Sequence, residues 1–479
     1  MSSIRKRGGS QMDATTRERY EAWKRRKILK RAIPLGVLLL VISGGLIFAL
    51  NTGGNDSETD GPVNGNVTTE LPTDIDPDPR TDETGPPETD QPTEDTGATE
   101  IRLQFGGDVF IHQGPIDVAR TGEHTFDFRP FFQHIAPFVD GDFAMVNMES
   151  PVDAFGGNHD VAGWPYFNAP FEILEALTDA GFNHLSSANN HAFDKGFEGL
   201  LNTVSNFERA GITHTGLNVD MEDFHTPTLI DINGIQVGVL AYTDIVNHQG
   251  LALMPQDTLT FAVRRFRSYT LDDMPVMATD IANLREAGAD VVVVSLHWGV
   301  EYAEDGTAPN EMQRLIASAL SEAGADVIMG HHSKTVQPIE WLYREDGSRT
   351  LVMYSLGNFM ADQTRLFSPA TVDALTSTGT NNSQSIPFAG RTQIGMLVSL
   401  QVVKEENGDI TLTTAEVLPT LCMRDFSGNT LGTVDGVSVM PLVAGELPDF
   451  VTDEELRIWG RFAYEHVVNI VGNAFISNE

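Results

Sequence analysis

Five short polar clusters beyond residue 100 carry the side chains that could do chemistry. They are Gly107-Asp108, Asn147-Met148-Glu149, Asn189-Asn190-His191, His297-Trp298-Gly299 and His331-His332-Ser333-Lys334. Each comes at or just after the end of an apolar, strand-like run. Carboxylate, amide and imidazole are the donors that hold a divalent cation, and open α/β sheets collect ligands at the carboxyl ends of their strands. Taken singly, each cluster is weak. Many loops open with Gly-Asp, and a lone histidine is more often a satisfied core side chain than a ligand. Together, five strand ends delivering metal-type donors point to one centre. Asp194 follows His191 by three residues and could orient its ring and raise its basicity. His297 ends the most apolar strand of the chain, a poor place for a polar group without a partner.

The elements that must position these clusters read as α/β alternation. Residues 101–105, 143–146, 183–187 and 291–294 are strand-like. The last of these is four consecutive valines, the mark of a strand covered on both faces. Residues 326–329 and 351–355 are further strands. Amphipathic helices are expected at 171–180, 197–210, 275–287, 310–323 and 456–471, most of them followed by glycine. Residues 228–232 and 235–242 flank Asn233-Gly234, a strong hairpin signal, and 393–403 is expected to pair with 411–418 across Asn407-Gly408. The pattern predicts a mixed sheet with helices outside, and the alternating strands suggest two sheets packed together. Residues 368–387 are polar and read as a loop or lid.

The first hundred residues stand apart. Residues 1–32 are basic, and 33–50 run about 18 residues without a charge, just enough to span a bilayer. The positive-inside rule places residues 1–32 in the cytoplasm, 33–50 as a single-pass transmembrane anchor, and the remainder outside at the cell membrane. Residues 51–99 are Thr, Asp, Glu, Pro and Gly with few large apolar side chains, an expected disordered acidic linker. Residues 100–479 form the expected extracellular domain. The chain's net charge is −36, and most of it, about −31, falls on 101–479. Such a surface argues against nucleic acid as a ligand and is compatible with binding divalent cations. Cys422 is the only cysteine, so no intrachain disulfide forms. It reads as a small buried hydrophobe, with Arg424 its one close basic neighbour.

At this point the motifs carry a resemblance. FGGDVFI at 105–111, NMESPV at 147–152, SSANNHAFDKG at 186–196, SLHWGVEY at 295–302, GADVIMGHHSKTVQPIE at 324–340 and YSLGNFMADQ at 354–363 occur in order over about 260 residues. The chain resembles the CapA family, poly-γ-glutamate capsule proteins with a calcineurin-like metallophosphoesterase fold. The resemblance implies a four-layer α/β/β/α sandwich. It implies Asp108 as the first metal carboxylate and Glu149 as a bridging carboxylate. Asn190, His297 and His332 are similar to the ligands of the second metal position. His191, supported by Asp194, resembles the imidazole that stabilises or protonates a leaving oxygen. Trp298 and Gly299 are expected on the pocket wall, with Glu301 behind it. Gln337, Asn358 and Gln363 are expected at the rim, with local packing the competing reading for each.

The superfamily pattern ends in His-x-His, whereas here it is His332-Ser333-Lys334. It also commonly carries a histidine where Phe110 stands. The first metal position therefore keeps only Asp108 and Glu149, a poor transition-metal site. The expectation is one divalent metal per chain, with manganese, zinc, iron and magnesium not distinguished. Lys334 is expected to be salt-bridged to Asp108, the alternative being that it faces solvent and His331 takes its place. Three functions follow. One is work on poly-γ-glutamate or a related anionic envelope polymer beside membrane-embedded synthesis proteins. The second is a secreted metal-dependent phosphoesterase or other hydrolase acting on a small anionic substrate. The third is a non-catalytic module holding an anionic group.

Overall fold

Two β-sheets face each other, and the polarity of each strand explains its place. In the larger sheet β1 (Thr99–Val109), β2 (Phe143–Met148), β3 (His184–Ser186) and β4 (Thr213–Thr215) run parallel. The crossovers carry α1 (Glu172–Asp179) and α2 (Gly196–Ala210). In the smaller sheet the order is β5 (Thr228–Ile232), β6 (Ile235–Thr243), β7 (Val291–His297), β8 (Val327–His331), β10 (Arg349–Met353) and β9 (Ile339–Tyr343). Helices α3 (Met274–Glu286) and α4 (Glu311–Glu322) lead into β7 and β8. The chain then returns to the larger sheet. β11 (Asn358–Met360) joins the end of β1, and β12 (Ile394–Lys404), β13 (Ile410–Asp425) and β14 (Gly436–Pro441) extend its other side. Helix α5 (Glu454–Val471) closes the core. This computed structural model describes residues 97–154, 160–302, 307–362, 388–425 and 436–477. The expected tail and anchor, the linker up to residue 96, the 368–387 segment and Gln363 lie outside them, and the expected linker end at 99 is corrected by Thr99, which already opens β1. Among the described residues no helix is long and apolar enough to cross a membrane.

The valine run of β7 shows how the layers are built. Val291 and Val293 face the core between the sheets, with Leu103, Phe105 and Met396. Val292 and Val294 face the opposite way, into a second core with Ile281 and Leu284 of α3 and Ile316 and Leu320 of α4. Both faces of the strand are dry, and each buried valine contributes roughly 1.5–3 kcal/mol of hydrophobic stabilisation. The α4 start is fixed by a capping box between Asn310 and Gln313.

Three differences from the sequence reading have physical causes. The strand β9 is a half-exposed edge, with Ile339 and Trp341 on the core between the sheets and the apolar Leu342 on the opposite face, so its apolar residues do not follow a clean period of two. The strand β4 is only three residues long. The strand β13 runs past 418, where Pro419 cannot donate to the ladder, and takes up β14 from Thr420 onward.

One close approach positions the first carboxylate. Register slips in β1 before and after Asp108 where it meets β2 and β11. A Cβ on Gly107 would lie 2.1 Å from the Gly357 carbonyl oxygen. Only glycine lets the two backbones meet there, and the next amide, Asp108 N–H, donates to that same oxygen at 2.9 Å.

Candidate metal centre

The carboxyl ends of β1, β2, β7 and β8 converge, and their polar residues touch. Asn147 of β2 donates from Nδ2 to Asp108 Oδ1 at 2.8 Å. The same Nδ2 lies 3.5 Å from His297 Nδ1 across the gap between the sheets. Glu149 N–H donates to the Val109 carbonyl at 2.9 Å, which fixes the turn that brings its carboxylate inward. Asn189 donates to the Met148 carbonyl at 2.9 Å and so pins the 189–191 loop to the end of β2.

After His331 the backbone turns sharply. His332 and Lys334 both have positive φ, 88° and 64°. Such conformations cost of order 1–3 kcal/mol each in non-glycine residues and cluster at functional sites. Here they send the His332 and Lys334 side chains to the same buried carboxylate. Lys334 Nζ donates to Asp108 Oδ2 at 3.3 Å and to both oxygens of Glu149. Its side chain is 1% exposed, as are those of Asp108 and Glu149. His331 Nδ1 lies 3.0 Å from Asp108 Oδ1. The ammonium thus sits inside, and His331 accompanies it on Asp108 instead of replacing it.

Burial pushes every charge in this cluster toward its neutral form, and the neighbours decide the outcome. At Asp108 the desolvation cost is outweighed by Lys334 and His331, and the carboxyl is held well below its ordinary range. At Glu149 desolvation, reinforced by the Asp108 charge, outweighs Lys334 and raises the carboxyl well above it. Desolvation would lower Lys334, but Glu149 and Asp108 more than offset it and the ammonium is raised. Burial lowers His297 well below its usual value and His332 to about 3, helped by the positive charge of Lys334 at both. Both imidazoles are therefore neutral at pH 7, the form that binds metal.

Glu149, His297 and His332 place ligand atoms within 4.8 Å of one another. Buried His332 Nδ1 has no hydrogen-bond partner. His297 Nε2 lies 2.9 Å from Asn190 Oδ1 and 3.7 Å from Glu149 Oε1. A carboxylate, an amide oxygen and two neutral imidazoles around one point fit a divalent cation. The other side of Glu149, with Asp108, does not, since Lys334 takes those oxygens.

His191 stands at the mouth, its side chain 12% exposed. Its Nδ1 lies 2.7 Å from Asp194 Oδ2, and Asp194 is fixed in turn by the Phe167 N–H at 2.9 Å. Phe167 meets the ring edge to face at 4.6 Å. The sequence reading contains no role for Asn247, yet it belongs here. Its Nδ2 is 3.1 Å from His191 Nδ1, and its backbone N–H donates to the Asn190 carbonyl at 3.0 Å. The available signal was its place just beyond β6, the strand that pairs with β7.

Trp298 corrects the expectation of a pocket wall. Strand alternation turns it away from His297 into the core beneath α3 and α4, where it stacks on Tyr354 and donates to the Tyr354 carbonyl at 3.0 Å. Gly299 donates its N–H to Asp244 at 3.1 Å. Asn358 sits beside Asp108 in the β1–β11 register, and its Nδ2 donates to the Thr392 carbonyl at 2.7 Å. Glu301 contributes charge near Glu149 and Lys334. Gln337 is buried and reaches the Ala308 carbonyl at 3.4 Å. Cys422 is buried with its thiol pushed up to about 11, in keeping with a packing role.

These features define a mixed α/β protein with a buried carboxylate–imidazole group, built where two sheets meet, that could hold a metal. Residues 102–363 match the family model of the bacterial capsule synthesis protein PGA_cap, and the chain belongs to that family. The PGA biosynthesis protein CapA of Bacillus subtilis is 34% identical over 235 residues, 48% of this chain and 57% of that protein. The capsule biosynthesis protein CapA of Bacillus anthracis is 30% identical over 235 residues, 48% of this chain and 54% of its own. A probable polyglutamine synthesis accessory protein of Mycobacterium tuberculosis is 28% identical over 224 residues, 46% and 56% of the two chains. The chain thus spans little more than half the length of these relatives. Among solved structures, the NAD nucleotidase of Haemophilus influenzae aligns over 79% of this chain and 64% of its own at 12% identity, with a TM-score of 0.36.

Proposed function

We propose that this protein works at the outer face of the cell membrane in the synthesis, export or processing of poly-γ-glutamate or a related anionic envelope polymer. The observation that carries the reading is the family match over 102–363, which contains every residue of the centre from Asp108 to Lys334. Residues 1–32, 33–50 and 51–99 serve as cytoplasmic tail, single-pass anchor and acidic linker, supported by their charge pattern. The domain from 100 onward takes the four-layer metallophosphoesterase-like arrangement, which the facing sheets and the helices on the smaller one support. Membrane-embedded synthesis proteins are its working partners.

Glu149, Asn190, His297 and His332 would hold the divalent metal. When bound, it supplies a Lewis acid for an anionic or carbonyl oxygen. His191 works beside it. Asp194 accepts the Nδ1–H hydrogen bond, which orients the ring with Nε2 toward a substrate, and in its imidazolium form this partly buried ring can hand the Nε2 proton to a departing group. That pair favours the second reading, metal-dependent hydrolysis, within the polymer role. The purely anion-holding reading loses its anchor, because Lys334 is buried and its donors are committed to Asp108 and Glu149.

The test is deletion of the gene and complementation with wild type, His332→Ala and His191→Ala. Loss of surface polyglutamate that only wild type restores supports both the role and the centre. Undiminished polymer in the deletion strain refutes the role. Protease accessibility of the domain on intact cells checks the topology.

A further inference from the structure

Glu149 lies between two cation positions. On one side are His297 and His332, with ligand atoms within 4.8 Å of the carboxylate. On the other the position is already filled by Lys334 Nζ, which spends its donors on Asp108 Oδ2 and both Glu149 oxygens. Behind the ammonium lies the Phe110 ring, its centroid 4.4 Å away. An aromatic face is the one apolar surface that attracts a cation rather than merely tolerating it. Phe110 is itself buried among Phe167 and Ala361, and carries no competing donor. The left-handed turns at His332 and Lys334 deliver the two residues to the two sides of Glu149 from one three-residue segment.

We infer that Lys334 and Phe110 together form a built-in cation, so that the centre is a two-cation site in which one cation is covalently part of the chain and only the other is exchangeable. The ammonium compensates Asp108 and holds both Glu149 oxygens by hydrogen bonds, and the two side chains stay ordered whatever the metal supply. This deepens the metal reading above, yet its first test is independent of it. Removing the ammonium should leave two buried carboxylates facing a cavity shaped for an alkylammonium ion.

The experiment uses the whole chain, stripped with chelator, as wild type, Lys334→Ala and Lys334→Met. Lys334→Ala is expected to melt roughly 4–6 °C lower than wild type, the range for a buried pair losing one partner in a unit of this size. Ethylammonium chloride should restore most of that loss, whereas equal sodium chloride should not. Lys334→Met, whose side chain fills the cavity, should melt low and gain nothing from ethylammonium. Wild type should be indifferent to it. Should Lys334→Ala not fold alone, refolding in ethylammonium but not in sodium chloride gives the same answer. Manganese titration followed by elemental analysis should then count one metal per chain in wild type. Two metals per chain in wild type overturn the inference, as does a Lys334→Ala variant that is as stable as wild type or deaf to ethylammonium. If amine rescue succeeds while wild type binds no metal, the built-in cation stands and the metal reading falls.

Discussion

His184 offers a quantitative test of how the larger sheet depends on pH. It ends up at the start of β3 with no exposed surface. Its ring nitrogens lie 2.8 Å from Thr213 Oγ1 and 2.9 Å from Thr215 Oγ1, and Phe143 packs against it with centroids 5.2 Å apart. Burial, with a smaller push from nearby His214, lowers its pKa to about 3. The fold therefore selects the neutral ring, while the unfolded chain takes up a proton near pH 6.5. Stability from this group is complete above that pH and is lost as pH falls, by about 1.4 kcal/mol per unit, until the folded ring itself protonates near 3. Between pH 7.5 and 5 the loss is about 2 kcal/mol, or roughly 2–3 °C in melting temperature for a unit of this size. Urea unfolding followed by the fluorescence of buried Trp298 and Trp459 can measure it. His184→Gln cannot titrate. It should cost stability at pH 7.5, and the gap to wild type should shrink by about 2 kcal/mol at pH 5. A gap that is the same at both pH values would refute the reasoning.

Three further outcomes follow from the geometry. Asp194→Asn should lower any metal-dependent hydrolysis by about tenfold or more while leaving metal content unchanged, because it releases the His191 ring without touching a ligand; parallel loss of metal would contradict this. Gly107→Ala should lower stability by about 1–3 kcal/mol or more in urea titrations and weaken metal retention, because its new Cβ would meet the Gly357 carbonyl at 2.1 Å. Trp298→Ala should cost about 3–5 kcal/mol as a core truncation, with metal binding retained in the folded fraction measured by elemental analysis.

Much of this was legible because strand ends write themselves plainly. The valines of β7 mark a strand covered on both faces, and the polar residues that close the apolar runs at Glu149, His297 and His332 are the ones that meet. Trp298 was misread because adjacency in sequence is opposition in a strand, and its neighbour His297 took the inward face. Asn247 was missed because it reaches the centre through the pairing of β6 with β7, which no local pattern encodes. The edge strand β9 was missed because a half-exposed strand needs little apolar alternation.

The pairing of Lys334 with Asp108 also has a history in time. The two residues are 226 positions apart, and Lys334 follows Glu149 by 185. During synthesis both carboxylates exist long before their counter-ion does, and they can leave water only when it arrives. Contacts between such distant residues form late, because a long loop must close first. The centre can therefore close only once residue 334 is in place, while the larger sheet is completed later still, when β12 reaches back to pair with β1.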